Sequence, residues 1–590
     1  MKTNILTFLA VLFLAACSGT TENPEITENE IFQHLSYLAS DSLKGRLPGT
    51  AEDKLAALYI ASEFKKAGLS FLTEDGLQPF DIITDLEIGE ENYLRLGTEE
   101  YDPQLDFVPF PFTANKSLES EVVFTGYGID FQREGITWND YEGIDVEGKW
   151  VIVLKGNPEI DSTSSVFNEF SNERDKAMVA SDHGAGGILF VSGPQFSPDD
   201  QLVDLDKREG KVSIPALNIS RKVADRLLKD SGNTIESVEK QLNKERKSSS
   251  FSTGVSLAGS AEVNPSHTTT YNVVAYFEGS DPERKNEYII MGAHYDHLGM
   301  GGPGSSSRRP DTLDYHNGAD DNASGVAALI EIAEKIAGAD KKPANSYIFI
   351  AFGAEEMGLL GSKYYADNPL LPRDKTRIML NMDMIGRLRD YQLQVGGVGT
   401  AEESKNIVTE LGEKSELKIS TTREGYGASD HSSFYAKNIP VLFLTTGAHT
   451  DYHTPEDDVE YINIEGMVLI SNYIIEIANY IDSTNIPLVF QEAGPKFRYS
   501  GRRGRRIALG IMPDFTDNDE NPGMRVDNVN PGQPADLGGM KKGDYILAIE
   551  GKAINGIYDY MYRLNNLSKG QIIVVTVKRE NQTLDLLVQL

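Results

Sequence analysis

Six of the nine histidines, His294, His297, His316, His431, His449 and His453, fall between residues 294 and 453. Imidazole is a common metal ligand and an acid–base group near neutral pH, so this clustering points to chemistry. Most of the acidic and imidazole candidates of the block sit at or just after the ends of apolar runs. The segments are G-A-H-Y-D-H at 292–297, G-A-D-D-N-A-S-G at 318–325, G-A-E-E-M at 353–357, N-M-D-M-I-G at 381–386 and D-Y-H-T-P at 451–455. They offer nitrogen and oxygen donors but no thiolate, because the single cysteine of the chain is Cys17. Such a donor set suits hard-to-borderline divalent cations, zinc among them. Two such ions need a bridging carboxylate, and they depress the pKa of the water between them. A carboxylate close to that water can take its proton. Consecutive glutamates at a strand end point to opposite sides, so a local turn must aim both inward, and Gly353 and Gly358 permit one.

The runs preceding these motifs read as strands at 273–277, 288–292, 346–352, 378–382 and 441–445. Amphipathic patterns at 324–336, 362–367, 404–414 and 464–481 read as helices. This alternation predicts an α/β layer with a mostly parallel sheet. In open sheets of that kind ligands bind outside the carboxyl ends of the strands, where the motifs fall. Two more helical patterns, 28–40 and 51–67, flank the turn-rich loop D-S-L-K-G-R-L-P-G-T. Ile31, Leu35 and Leu38 share one face of the first, and Leu55, Leu58 and Phe64 one face of the second. From 117 to 261 the texture changes to short strands and turns; 487–506 is a Gly/Arg-rich linker and 507–590 a compact, mostly β module. The chain has 590 residues, 40% apolar and 25% charged, with a net charge of −33. That balance fits several globular domains and argues against a nucleic-acid partner.

The five strand-end motifs resemble the co-catalytic dizinc aminopeptidases, in particular the aminopeptidase Y and glutamate carboxypeptidase superfamily, and they occur in that family's order. The resemblance implies a three-layer αβα sandwich binding two Zn²⁺ ions and a peptide substrate. His294 and Asp383 would serve one zinc, Glu356 and His453 the other, with Asp321 bridging both and a cis peptide after it. Glu355 matches the general base, and Tyr452 an oxyanion-stabilising tyrosine of some relatives. Asp296 could accept the second N–H of His294 and fix its tautomer. Asp430 and His431, in G-A-S-D-H-S-S-F, match a segment near the substrate pocket, with a helix N-cap role competing. His297, His316 and His449 read as solvated loop residues. Gly299, Gly301 and Gly304 spell G-x-G-x-x-G, but no helix opens after them, so a dinucleotide site is excluded.

Segments 124–130, 148–156, 184–191 and 214–220 resemble a protease-associated domain inserted within the peptidase fold. The domains would then be a peptidase part at 30–116, the β-rich insert at 117–261, the catalytic part at 262–486, the linker at 487–506 and a last domain at 507–590. That last domain resembles a bacterial PDZ domain. Leu509, Gly510 and Ile511 match its carboxylate-binding loop, which implies a C-terminal peptide ligand captured by strand addition.

The amino terminus carries Lys2, an apolar run at 5–16 and the small residues Ala15 and Ala16 directly before Cys17. This reads as a secretory signal at 1–16 with a tether at 17–29, and it resembles the lipobox of bacterial lipoproteins. Cys17 would carry the lipid, and the chain would be exported and anchored in the cell-envelope membrane. The expected activity is removal of N-terminal residues from peptides. Rival readings are a dipeptidase or carboxypeptidase on the same metals, a glutaminyl cyclase, or a non-catalytic scaffold.

Overall fold

The computed structural model describes residues 25–590 apart from 134, 161, 163–164, 204, 206–209, 494–507, 514–522, 530–531, 566, 568–569 and 581. Cys17, the expected signal at 1–16, most of the tether and residues 494–506 of the expected linker therefore lie outside the described residues. The chain divides into two compact units, one of residues up to 82 with 269–498, the other of 83–268 with 499–590.

In the first unit, α1 (Glu28–Leu38) and α2 (Ala51–Lys66) each start on a threonine. The Thr27 hydroxyl accepts from the Glu30 N–H and that of Thr50 from the Asp53 N–H, satisfying donors a helix leaves open. The apolar face of α1 is buried as expected. In α2 the expectation fails: Leu55 and Leu58 are 49% and 43% exposed, and Ala56, Ala57, Ile60, Ala61 and Phe64 face the core instead. Phe64 belongs to both stripes, and the small alanines let this stripe pack close to its neighbours.

The central sheet is built from β1 (Val263–Phe277), β2 (Tyr288–His294), β3 (Ser346–Phe352), β4 (Thr376–Met382), β5 (Gln392–Gly396), β6 (Lys418–Thr421) and β7 (Val441–Thr445). Their order across the sheet is β1-β3-β2-β4-β7-β5-β6. β3, β2, β4 and β7 run parallel, while β1 and β5 join antiparallel on either side. Every residue of β2 and β3 is buried, which is why both read as unbroken apolar runs rather than alternating ones. Ile289, Met291, Tyr347 and Phe349 face a core shared with α1, α2, α3 (Gly325–Ala337) and α6 (Ile464–Thr484). Tyr288, Ile290, Ile348 and Ile350 face the opposite core, with Tyr365 of α4 (Leu360–Asp367) and Phe434 of α5 (His431–Ala436). The result is the αβα sandwich with a mostly parallel sheet. Among the described residues no helix is long and apolar enough to cross a membrane.

In the second unit an eight-stranded sheet is centred on Lys116–Thr125 and Trp150–Leu154. Strands Tyr93–Leu96 and Phe107–Pro109 pair into this sheet, with Ser250–Ala261 and Ala216–Ile219 respectively. The expected boundary at 116/117 therefore moves to about residue 83. Of the residues 83–116 assigned to the peptidase part, Tyr93–Leu96 and Phe107–Pro109 thus pair with strands more than 100 residues away in sequence. The carboxy-terminal module forms its own sheet, with Leu509 and Ile511 buried in its core and Gly510 at φ 78° between them.

Two helices of this unit, Glu173–Asp182 and Ile557–Asn565, join the insert to the carboxy-terminal module through crossed ion pairs. Arg174 pairs with Asp559, and Asp182 receives both terminal nitrogens of Arg563, with Nη2 to Oδ1 at 2.7 Å. Arg174, Asp559 and Arg563 are all under 10% exposed. Removing one partner of a buried pair leaves an uncompensated charge and costs about 3–5 kcal/mol. Arg563→Glu is therefore expected to loosen the carboxy-terminal module, seen as faster release of its fragment by limited proteolysis. The exchange Asp182→Arg with Arg563→Asp is expected to recover protection, whereas equal protection in wild type and Arg563→Glu would refute the docking.

Candidate metal centre

The four parallel strands end on the same edge of the sheet and deliver the motif residues there. His294 is the last residue of β2, Asp383 follows β4, Glu355 and Glu356 follow β3, and His449 and His453 lie beyond β7. Asp321 comes from the turn 319–324 that leads into α3, and the peptide bond after it is cis. The turn that aims both glutamates is made by Ala354, which takes the left-handed φ of 53°, and by Gly358 at φ 104°. Gly353 serves another purpose, since a Cβ there would come within 2.5 Å of the Tyr271 carbonyl oxygen. Asp296 closes the turn by accepting the N–H groups of Glu355 at 2.9 Å and Glu356 at 3.2 Å.

Asp321 sits between two imidazoles. Its Oδ1 is 3.2 Å from Nε2 of His294, and its Oδ2 is 3.2 Å from Nε2 of His453. Asp383 Oδ1 lies 3.5 Å from the same His294 nitrogen, and Glu356 Oε1 lies 3.2 Å from that of His453. The other nitrogen of each ring faces a backbone carbonyl: His294 Nδ1 that of Asp296 at 3.3 Å, and His453 Nδ1 that of Ser306 at 3.0 Å. The Asp296 carboxylate is farther from His294 Nδ1, at 3.7 Å. With each Nδ1 facing a backbone carbonyl, each Nε2 is aimed at carboxylate oxygens, so a proton or a metal cation must lie between them. Burial opposes protonation of both histidines, but the surrounding carboxylates outweigh it: His294 is raised well above its ordinary range, chiefly by Glu355 and Asp383, and His453 to about 10 by Asp321 and Glu356. Glu356 Oε1 and Asp383 Oδ1 are buried without a hydrogen-bond partner. Orphaned acceptors, a nitrogen-and-oxygen donor set and no sulfur together fit bound divalent ions.

Glu355 Oε2 lies 4.0 Å from His294 Nε2. Burial and the charges of Glu356, Asp430 and Asp383 hold its carboxyl well above the ordinary range, with His294 opposing. Tyr452 stacks on His453 with ring centroids 3.8 Å apart. Asp430 occupies the N-cap position of α5 but makes no side-chain cap bond there, and burial pushes its carboxyl up to about 7. His431 is 1% exposed, stacked on Phe443 at 4.4 Å, and held neutral by burial, which lowers it to about 3.

The three histidines expected in solvated loops are buried. His316 is fully buried and bonds the Ser307 hydroxyl at 2.8 Å, His449 places Nε2 3.3 Å from Asp320 Oδ2, and His297 is fully buried beside Glu356. Two supporting residues carried no signal in the sequence. Asp457 Oδ2 accepts the N–H groups of both Asp320 and Asp321, at 2.9 and 3.0 Å, and its Oδ1 meets Arg387 at 3.2 Å. Arg46, fully buried, donates to the carbonyls of Leu38, Tyr295, Asn317 and Gly318, tying the 41–50 loop to the chain on either side of the site. Both act on partners remote in sequence, which no local pattern announces.

Three segments of the chain match known protein families. Residues 272–478 match peptidase family M28, residues 119–227 the PA domain and residues 508–590 the PDZ domain. The chain is 35% identical over 185 residues to leupeptin-inactivating enzyme 1 of Streptomyces exfoliatus, covering 31% of this chain and 37% of that protein. It is 24% identical over 445 residues to aminopeptidase YwaD of Bacillus subtilis (strain 168), covering 72% and 79%. Among solved structures, an aminopeptidase from Aneurinibacillus sp. strain AM-1 aligns at 23% identity and a TM-score of 0.44, over 79% of this chain and 95% of that one. BSAP, a zinc aminopeptidase from Bacillus subtilis, aligns at 20% identity and a TM-score of 0.43, over 80% and 100%. The segment that carries all five strand-end motifs is thus a peptidase family M28 domain, in a chain that also bears a PA domain and a PDZ domain.

Proposed function

We propose that the chain is an exported, lipid-anchored metallo-aminopeptidase that hydrolyses the first peptide bond of peptides at a two-metal centre. The observation that carries the reading is Asp321, whose two oxygens face the Nε2 atoms of His294 and His453 at the same 3.2 Å. The names of the relatives support the choice of an aminopeptidase. His294, Asp383 and Asp321 would hold one zinc ion and Asp321, Glu356 and His453 a second. Bound there, divalent ions supply Lewis acidity toward the scissile carbonyl.

The chain's own residues supply the proton chemistry. Glu355, with its raised pKa, takes a proton from the attacking water and delivers it to the leaving amine. The Tyr452 hydroxyl, which burial keeps protonated, can donate to the developing oxyanion. A free α-amine needs acidic partners, and the charges of Asp430 and Asp383 both act on Glu355. A free α-carboxylate would need unengaged arginines. Instead Arg387 pairs with Asp451 and Asp457, Arg309 pairs with Glu456, and Arg308 donates to the Thr450 carbonyl. With those three arginines engaged, the names of the relatives decide for the amine end over the carboxypeptidase alternative. The PDZ domain would capture peptide C-termini at Leu509, Gly510 and Ile511, and Cys17 would carry the lipid.

With a panel of dipeptides, free-amine substrates are expected to be cleaved and N-acetylated ones not; cleavage of the N-blocked set alone would overturn the reading. Glu355→Gln is expected to lower kcat about 10²–10⁴-fold with metal content retained, and unchanged turnover would remove Glu355 from the mechanism. Asp457→Ala leaves two buried N–H groups next to the bridging ligand unsatisfied. It is expected to weaken metal retention roughly 10–100-fold in a chelator competition. Cys17→Ser is expected to move the protein from the membrane fraction to the soluble one, and an unchanged distribution would refute the anchor.

A further inference from the structure

His297 is a buried histidine that neither the ligand set nor the proton chemistry uses. Its ring is fully buried, and neither ring nitrogen makes a hydrogen bond. Such an imidazole leaves a donor and an acceptor unmatched unless something else meets them. The surroundings show what that is. Nδ1 lies 2.8 Å from Glu356 Oε1 and 3.9 Å from Asp321 Oδ2, and these three atoms lie within 4.8 Å of one another. The 2.8 Å approach to Glu356 is close enough for a hydrogen bond, yet the two atoms are not aligned for one, and Glu356 Oε1 is itself without a partner. Donor atoms crowded together without hydrogen bonding to each other are what a shared cation leaves around itself.

The backbone holds the ring there. The His297 N–H donates to the Arg46 carbonyl at 3.3 Å, and Arg46 in turn grips the Tyr295, Asn317 and Gly318 carbonyls. Opposite the ring stands Gly318 at φ 54°, where a Cβ would come within 2.5 Å of His297 Cδ2. The ring meets His453 edge-on, with centroids 5.7 Å apart.

We propose that His297 is an additional metal ligand, giving through Nδ1 a second imidazole to the ion held by Asp321, Glu356 and His453. The inference rests on the two-metal reading above. It makes the two sites unequal: one imidazole with two carboxylates at His294, two imidazoles with two carboxylates at His297 and His453. The richer site should favour nitrogen-preferring ions such as zinc and cobalt and fill first.

The test uses the full chain, stripped of metal and titrated with Zn²⁺ by calorimetry, together with X-ray absorption at the zinc edge. Wild type is expected to bind two ions in a tighter and a weaker class, with about three imidazoles shared between them. In His297→Ala and His297→Gln the tighter class is expected to weaken roughly 10–100-fold and the imidazole count to fall to about two. Two ions bound at wild-type affinity, or an imidazole count of two in wild type, would overturn the assignment. The wild-type count decides even if neither variant folds. Absence of zinc uptake by wild type would instead sink the two-metal reading, and this inference with it.

Discussion

The first unit is organised around an electrostatic demand: several carboxylates brought into one poorly solvated place. Asp321, Glu355, Glu356 and Asp383 converge at the edge of the sheet, each with little exposed surface. Like charges at this spacing repel strongly where water cannot screen them. Removing charged groups from water is costly unless they are paired or bound to metal. The imidazoles answer part of the demand, and the rest calls for cations. Loss of cations from this place is therefore a matter of stability, because only the imidazoles would then balance the clustered carboxylates.

Holding that cluster in place accounts for much of the local architecture. Parallel strands bring their carboxyl ends to one edge, so His294, Glu355, Glu356 and Asp383 meet there from three separate segments. Second carboxylates then fix the backbone of the first. Asp296 accepts the N–H groups of Glu355 and Glu356, and Asp457 those of Asp320 and Asp321. Three non-glycine residues at the cluster take left-handed conformations: Ala354 before the glutamates, Met384 after Asp383, and His453 itself. Each costs roughly 1–2 kcal/mol, and such local strain persists where the surroundings overdetermine it.

The strands were legible because burial on both faces writes itself as an apolar run, and 346–352 and 441–445 fall where the pattern places them. Most of the candidate motifs were legible because they sit at or just after such a run. Less legible were features set by partners far along the chain. Leu55 and Leu58 share a helical stripe with Phe64, but the adjacent alanine stripe packs closer and wins the core. Tyr93–Leu96 and Phe107–Pro109 carry nothing that names their partner strands, so the insert seemed to start some thirty residues late. His297, His316 and His449 lie in polar, glycine-rich surroundings that read as solvent, yet the fold closes over all three.

By itself the sequence determined the donor chemistry of the site, the order of the modules and the layer that positions the ligands. Those properties are local, held in residue type and in the period of the apolar pattern. Only the tertiary structure decided which oxygen faces which nitrogen, that Asp457 and Arg46 hold the bridging segment, and that His297 joins the cluster rather than the solvent. Burial and convergence depend on segments hundreds of residues apart in the chain, and short-range pattern carries no information about such contacts.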